Sequence, residues 1–223
     1  MLELNVILMY APLILSGFLN TLVMTVSGIG LGLVLGAALA FAEVLGPKPL
    51  QIVVSTITHV IRGIPLLVLL LLVFYGLPAL GLQLPPLPTA VLAIGVRSAA
   101  YQSQIFRSTI EAVGSAQLEA AYASGMDKLT AFRSVVLPQA LRLSVPGLVN
   151  EFTIVLKDTS MAYVIGVTEM FTQAVHVAQV TLDYLAPLTL AALAYLLTCL
   201  TVSTVANRLY RRFSIPGLGT GVA

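Results

Sequence analysis

Long uncharged stretches, separated by short polar breaks, set the pattern of this chain. Residues 11–42 contain no charged side chain. That run exceeds the ~20 residues that cross the hydrocarbon of a bilayer, so part of it lies at an interface or tilts. The span it predicts begins near Ser16 and ends before the breaker Gly46-Pro47-Lys48-Pro49. A second span is expected over residues 50–77, interrupted at Arg62-Gly63-Ile64-Pro65. The proline-rich Leu84-Pro85-Pro86-Leu87-Pro88 precedes a third, over 88–106. A fourth apolar run covers 143–167 and a fifth 185–209. The expectation is an all-α membrane protein with five transmembrane helices, in which 1–223 form a single domain. Residues 170–180 are apolar enough to be half-inserted.

Within the first span Gly28, Gly32 and Gly36 recur every fourth residue and share one helix face. A phosphate-binding glycine loop would need a preceding strand and a following lysine, and neither is present. Close packing of another helix on small residues accounts for the spacing.

The only extended polar segment is 107–142. Within it Leu118, Tyr122, Met126, Leu129, Phe132 and Val136 recur at three- and four-residue intervals, an amphipathic helical pattern. Gly125 interrupts the pattern and Pro138 is expected to end it, which predicts a pair of short helices bent near Gly125. Such a hairpin either rests on the bilayer surface or docks a partner.

Composition agrees with the pattern. Of 223 residues, 58% are hydrophobic and only 9% charged, and the mean hydropathy is +1.00. A soluble domain carries about 25% charged residues. The net charge of +2 is too small to suggest nucleic acid. Cys199, the single cysteine, rules out an internal disulfide and reads as a small buried hydrophobe. Glu3 stands where a signal peptide wants a basic residue, and the first apolar run is too long for such a signal, so a retained helix is expected. With the N-terminus outside, Lys48, Arg107, Lys128, Arg133, Arg142, Arg208, Arg211 and Arg212 all fall on the cytoplasmic side. The outer side then receives only Glu3 and Asp183. The positive-inside rule therefore predicts N-terminus out and C-terminus in, in a cytoplasmic (inner) membrane.

Several of these residues fall into a known order. Glu119-Ala120-Ala121, Gly125, Val135 and Leu137-Pro138 keep every spacing of the EAA loop of ABC-importer permeases, with Val for Ile. Arg62-Gly63-Ile64-Pro65 is similar to the RGTP element of the polar amino acid (histidine/arginine/glutamine type) subfamily. Ala100-Tyr101 and Ile105-Phe106-Arg107 resemble its AYxxEIFRG stretch, with Gln104 in place of Glu and Ser108 in place of Gly. Leu137-Pro138-Gln139-Ala140, Pro146, Asn150-Glu151-Phe152, Leu156-Lys157-Asp158-Thr159-Ser160 and Glu169 follow in the same order.

The resemblance implies a type I ABC-importer transmembrane domain. It implies pairing with a second permease subunit, a copy or a close paralogue, above a dimer of ATPase subunits, with an extracytoplasmic substrate-binding protein delivering a polar amino acid. Glu119, Ala120, Ala121, Gly125, Leu137 and Pro138 would then form the coupling helix of a cytoplasmic segment, 107–142. No GxxxxGK[ST] element occurs, so the chain is expected to hold no cofactor, with ATP and Mg bound by the partner.

A charge placed mid-bilayer costs roughly 2.5–3.5 kcal/mol on insertion scales and needs a partner or a role. Arg62, Arg97, Glu151, Lys157, Asp158 and Glu169 are such residues. In the resembling family the carboxylate at Glu151 faces the substrate cavity of permeases for cationic amino acids. Glu151 is therefore expected to hold a basic side chain, with Asn150, Arg62, Thr159 and Ser160 serving the rest of the substrate; the competing reading is a carboxylate that only locks helices. Arg97 has no counterpart in the family pattern. His59 and His176 stand alone, without the spacing of metal ligands. A membrane protease is the weaker rival, since no GxSG element appears and the two scattered histidines give no evident dyad. A secondary transporter is the alternative, although such proteins usually show inverted repeats and more helices.

Overall fold

The protein, seen in a computed structural model, is described over residues 4–113 and 115–213 and is helical nearly throughout. Glu3 lies outside the described residues, as do the side chains of Arg211 and Arg212. Ten α-helices follow in order: α1 Leu4–Ser16, α2 Phe18–Leu45, α3 Lys48–Gly63, α4 Leu66–Ala79, α5 Pro86–Ala112, α6 Ser115–Ala123, α7 Lys128–Ala131, α8 Leu137–Asp158, α9 Met170–Thr181 and α10 Leu185–Phe213.

Met9–Leu45 and Leu185–Tyr210 are each long and apolar enough to cross a membrane. The second expected span is a broken one. α3 and α4 meet at 103°, because Pro65 cannot continue the helix and holds Ile64 extended, with φ −83° and ψ 125°. α5 and α8, at 27 and 22 residues, have the length to span, but Arg97, Arg107, Glu151, Lys157 and Asp158 lower their hydropathy.

The centre of the fold is the seam between α2 and α5. A Cβ on Gly32 would lie 2.5 Å from the Gln102 amide nitrogen, and one on Gly36 would lie 2.8 Å from the Ala99 carbonyl oxygen. The glycine stripe is thus a helix-packing face. Gly30, on the other side of α2, faces open space. At the Glu43 end of the seam, that carboxylate accepts hydrogen bonds from Arg107 and, at 3.1 Å, from Gln104. A glutamate at 104, as in the family pattern, would set two carboxylates against each other here.

The segment after α5 has the bend expected at Gly125, whose φ of +82° makes an elbow between α6 and α7. Asp127 caps α7, accepting from the Leu129 amide at 3.2 Å. The Thr130 side chain foremost, with that amide, holds the Asp127 carboxyl below its ordinary pKa. The expectation that Pro138 ends this segment fails. Phe132–Val136 form one π-helical stretch that runs directly into α8, and Pro138, the second residue of α8, follows that widened turn without ending the helix. The apolar pattern also divides. Leu118, Phe132 and Val136 pack with Val113 and Ala140, whereas Tyr122, Met126 and Leu129 stay exposed. Residues 170–180, expected to be half-inserted, lie in α9, whose Met170, Ala174, Val177 and Ala178 are buried.

Candidate functional site

The six charged side chains singled out from the sequence fall into three settings. Arg97 lies three turns into α5, about 16 Å along the helix from Pro86 at 1.5 Å per residue. Its guanidinium is 2.7 Å from the Asp158 carboxylate at the end of α8. The N–H groups do not point along that contact, so the two atoms touch without forming a directed hydrogen bond. Arg97 also lies 4.6 Å from the centre of the Tyr101 ring, and Arg62, from the end of α3, lies 5.1 Å from the same ring. An aromatic face attracts cations, so Tyr101 gathers the two guanidinium groups from different helices. Arg62 remains exposed.

Glu151 belongs to this first setting. It stands two turns before Asp158 on the same face of α8. Its side chain is buried, and its carboxylate accepts from the Ser98 hydroxyl at 2.9 Å. Ser98 in turn accepts from the Gln102 amide at 3.0 Å, and that amide also donates to the Ile29 carbonyl at 3.2 Å. Among the described residues the buried Gln102 carbonyl oxygen has no partner. A line of polar groups thus runs from the α2–α5 seam to the substrate carboxylate expected from the sequence. Asn150, beside Glu151, is exposed.

Thr159 and Ser160 do not join this group. The Thr159 hydroxyl donates to Leu156 at 2.8 Å and lies 3.4 Å from the Tyr195 hydroxyl of α10. The Ser160 hydroxyl donates to Lys157 at 2.8 Å. Ser160 and Lys157 border the second setting, a cavity of about 560 Å³ between α8, α9 and α10, lined mainly by apolar α10 side chains. The substrate residues expected from sequence therefore divide between the α3–α5 side and the α10 side of α8.

The third setting is Glu169, fully buried. Its carboxylate caps α9, accepting from the Thr172 amide at 2.6 Å, the Phe171 amide at 3.0 Å and the Thr172 hydroxyl at 2.9 Å. It also accepts from the Tyr195 hydroxyl. Gly17 makes room for this turn, since a Cβ there would fall 2.4 Å from the Glu169 carbonyl carbon.

Sequence reasoning singled out Glu151 and Arg62 but gave no role to Arg97, Ser98 or Tyr101. A signal was present: Arg97 and Tyr101 are four residues apart, hence neighbours on one face of α5. In the elbow, Glu119 and Ala120 are exposed while Ala121 is buried. Ala120, Ala121, Ser124, Met126 and Val135 border a depression of about 400 Å³ in the elbow. Leu137 is partly buried and Pro138 exposed at the start of α8.

A family model described as "Binding-protein-dependent transport system inner membrane component" matches residues 28–215. The L-cystine transport system permease protein TcyB of Bacillus subtilis is 37% identical over 202 residues, covering 90% of this chain and 86% of that one. The arginine transport system permease protein ArtQ of the same organism is 34% identical, covering 90% and 92%. Among solved structures, an amino acid ABC transporter with histidines superposes with a TM-score of 0.87 at 36% identity, covering 92% of this chain and 96% of that one. The MetNI methionine ABC transporter in an inward-facing conformation superposes at 0.79 with 18% identity, covering 91% and 97%.

Proposed function

The chain belongs to the family of binding-protein-dependent transport system inner membrane components, and we propose that it is the permease subunit of an ATP-driven importer for a polar amino acid. Membership implies work beside an ATPase, a second permease unit and a substrate-binding protein, and it speaks against the secondary-transporter alternative. The observation that carries the amino acid reading is the cluster of Arg62, Arg97, Asp158 and Glu151 around Tyr101 and Ser98. Charges of both signs held near mid-membrane, and incompletely satisfied by the protein, suit a ligand that itself carries both signs.

A basic side chain on the substrate is supported by one group, Glu151, whose sole hydroxyl donor among the described residues is Ser98. Asn150, next in sequence, and Arg62, which shares the Tyr101 ring with Arg97, would serve the rest of the substrate, whereas Thr159 and Ser160, turned toward α10, would serve it only if α8 rotates.

In the cytoplasm, Glu119, Ala120, Ala121 and Gly125 shape the elbow that would sit on the ATPase, with Leu137 and Pro138 joining it to α8. The exposed Tyr122, Met126 and Leu129 supply the apolar contact such docking needs. ATP and Mg would be bound by that partner. The orientation is N-terminus out and C-terminus in.

The test is ATP hydrolysis by the purified permease–ATPase complex in liposomes, with binding protein, across a panel of amino acids. Stimulation by polar amino acids is expected. Failure of any ATPase to co-purify, or a rate indifferent to every amino acid, would overturn the reading.

A further inference from the structure

We propose that the groove between the start of α8 and the end of α10 binds an anionic phospholipid: Arg142 and Tyr210 take its phosphate, and the apolar walls behind them take the beginning of an acyl chain.

The shape of the groove comes first. It holds about 250 Å³ and is lined by Arg142, Val145, Ala206, Leu209 and Tyr210. α8 and α10 run antiparallel, since Arg142 faces Tyr210 at one end while Thr153 meets Cys199 and Thr159 meets Tyr195 further along. A step forward from Arg142 to Val145 and a step back from Tyr210 to Ala206 therefore both go one turn deeper into the helix pair. The polar groups stand at the mouth, and Val145 and Ala206 lie behind them. A phospholipid has the same order, phosphate first and hydrocarbon after. A helix about 10 Å across would fill the 250 Å³ with about 3 Å of its length, so the groove admits a single chain and not a helix.

Charge then selects the headgroup. Arg142 is exposed, and among the described residues no carboxylate lies within ion-pair reach of it. α10 contains no acidic residue. The two acids of α8 are engaged elsewhere: Glu151, about 13 Å further along the helix, accepts from Ser98, and Asp158 meets Arg97. Arg208 is exposed two residues before Tyr210, and Arg211 and Arg212 follow in the sequence. A guanidinium keeps its charge and can grip a phosphate with two parallel N–H bonds. Tyrosine is favoured where bilayer meets water and has a hydroxyl to donate. Phosphatidylcholine brings the same phosphate but adds a quaternary ammonium to a mouth that already holds only cations. A lipid with a glycerol headgroup adds none. Seated there, it braces the first turns of α8, just beyond the elbow, against the last turns of α10.

The experiment is native mass spectrometry of the purified permease–ATPase complex, stripped of copurified lipid in detergent. The complex is titrated with phosphatidylglycerol or with phosphatidylcholine of the same acyl chains. Wild type should take one tight phosphatidylglycerol per permease chain, bound at least about tenfold more strongly than phosphatidylcholine. Arg142→Gln should shrink that preference to about threefold or less. Ala206→Phe leaves every cation in place but fills the groove, so it should lose the tight site for both lipids. Lys48→Gln removes an exposed cation that lines a different cavity and should bind as wild type does. Water-soluble glycerol phosphate should not displace the lipid.

Equal affinity of wild type for the two lipids, or a tight phosphatidylglycerol retained in Ala206→Phe, would overturn the proposal. A loss in Lys48→Gln as large as that in Arg142→Gln would mean unspecific attraction to a basic face, and displacement by glycerol phosphate would mean a site for free phosphate. Either result contradicts a lipid site in this groove. So would a wild-type complex that binds no lipid, which would leave the groove to a protein partner.

Discussion

Glu169 and Glu151 are both buried carboxylates close to α8 and its continuation, yet the chain treats them differently. Glu169 receives two backbone amides and two hydroxyls, all from elements it holds together. Glu151 receives one hydroxyl and lies beside a misaligned ion pair. A buried charge whose lone pairs are filled by its own fold acts as a structural pin. One left short of donors keeps capacity for a ligand. Burial alone does not separate the two cases; the number and direction of the donors do.

This contrast is broken most strongly by removing the pin. Glu169→Ala strips the cap from α9 and orphans the buried Tyr195 hydroxyl, and should cost about 3 kcal/mol of stability. Thermal unfolding in detergent reads it directly, and a melting temperature within a degree of wild type would refute the structural role. Next in size is the α2–α5 seam. Gly36→Ala must push against the Ala99 carbonyl and should cost about 1–3 kcal/mol. Gly30→Ala, which meets nothing within 4 Å, should be neutral or slightly stabilising through helix propensity. Equal melting temperatures for the two alanine variants would contradict the packing account.

The smaller effects sharpen the other half of the comparison. Ser98→Ala takes away the donor to Glu151 and leaves the Gln102 amide with only the Ile29 carbonyl; a loss of about 1 kcal/mol is expected. Tyr101→Leu removes the ring that both guanidinium groups share, worth about 0.5–1 kcal/mol for each cation–π contact. Its expected signature is a few-fold rise in the KM for the amino acid that stimulates ATP hydrolysis, with no change in melting temperature beyond a few degrees. A lowered melting temperature with unaltered KM would move Tyr101 to the structural side.

Much of this fold was legible in the sequence because a bilayer imposes it. Uncharged runs, breakers such as Arg62-Gly63-Ile64-Pro65 and the Gly28/Gly32/Gly36 stripe each translate into a span, a bend or a packing face by local rules. Pro138 misled because a proline ends one helix or begins the next depending on what lies upstream; here the π-helical Phe132–Val136, packed with Val113 and Ala140, carries the chain straight into α8. The charged site was half legible. Glu151 and Arg62 stand out as lone charges in apolar surroundings. That Arg97 meets Asp158, or that Thr159 turns toward Tyr195 instead of joining Glu151, depends on how α5, α8 and α10 are rotated against one another. No single helix encodes that rotation.

The most direct test of the contrast is the amino acid concentration dependence of ATP hydrolysis in proteoliposomes, measured side by side for wild type and Glu151→Gln at equal amounts of folded protein. Ser98 can still donate to a glutamine oxygen, so folding should hold. The account predicts an unchanged melting temperature with a KM for basic amino acids raised about tenfold, the cost of losing one charge-assisted contact. An unchanged KM together with a lowered melting temperature would show that Glu151 is a pin like Glu169, and would contradict the account.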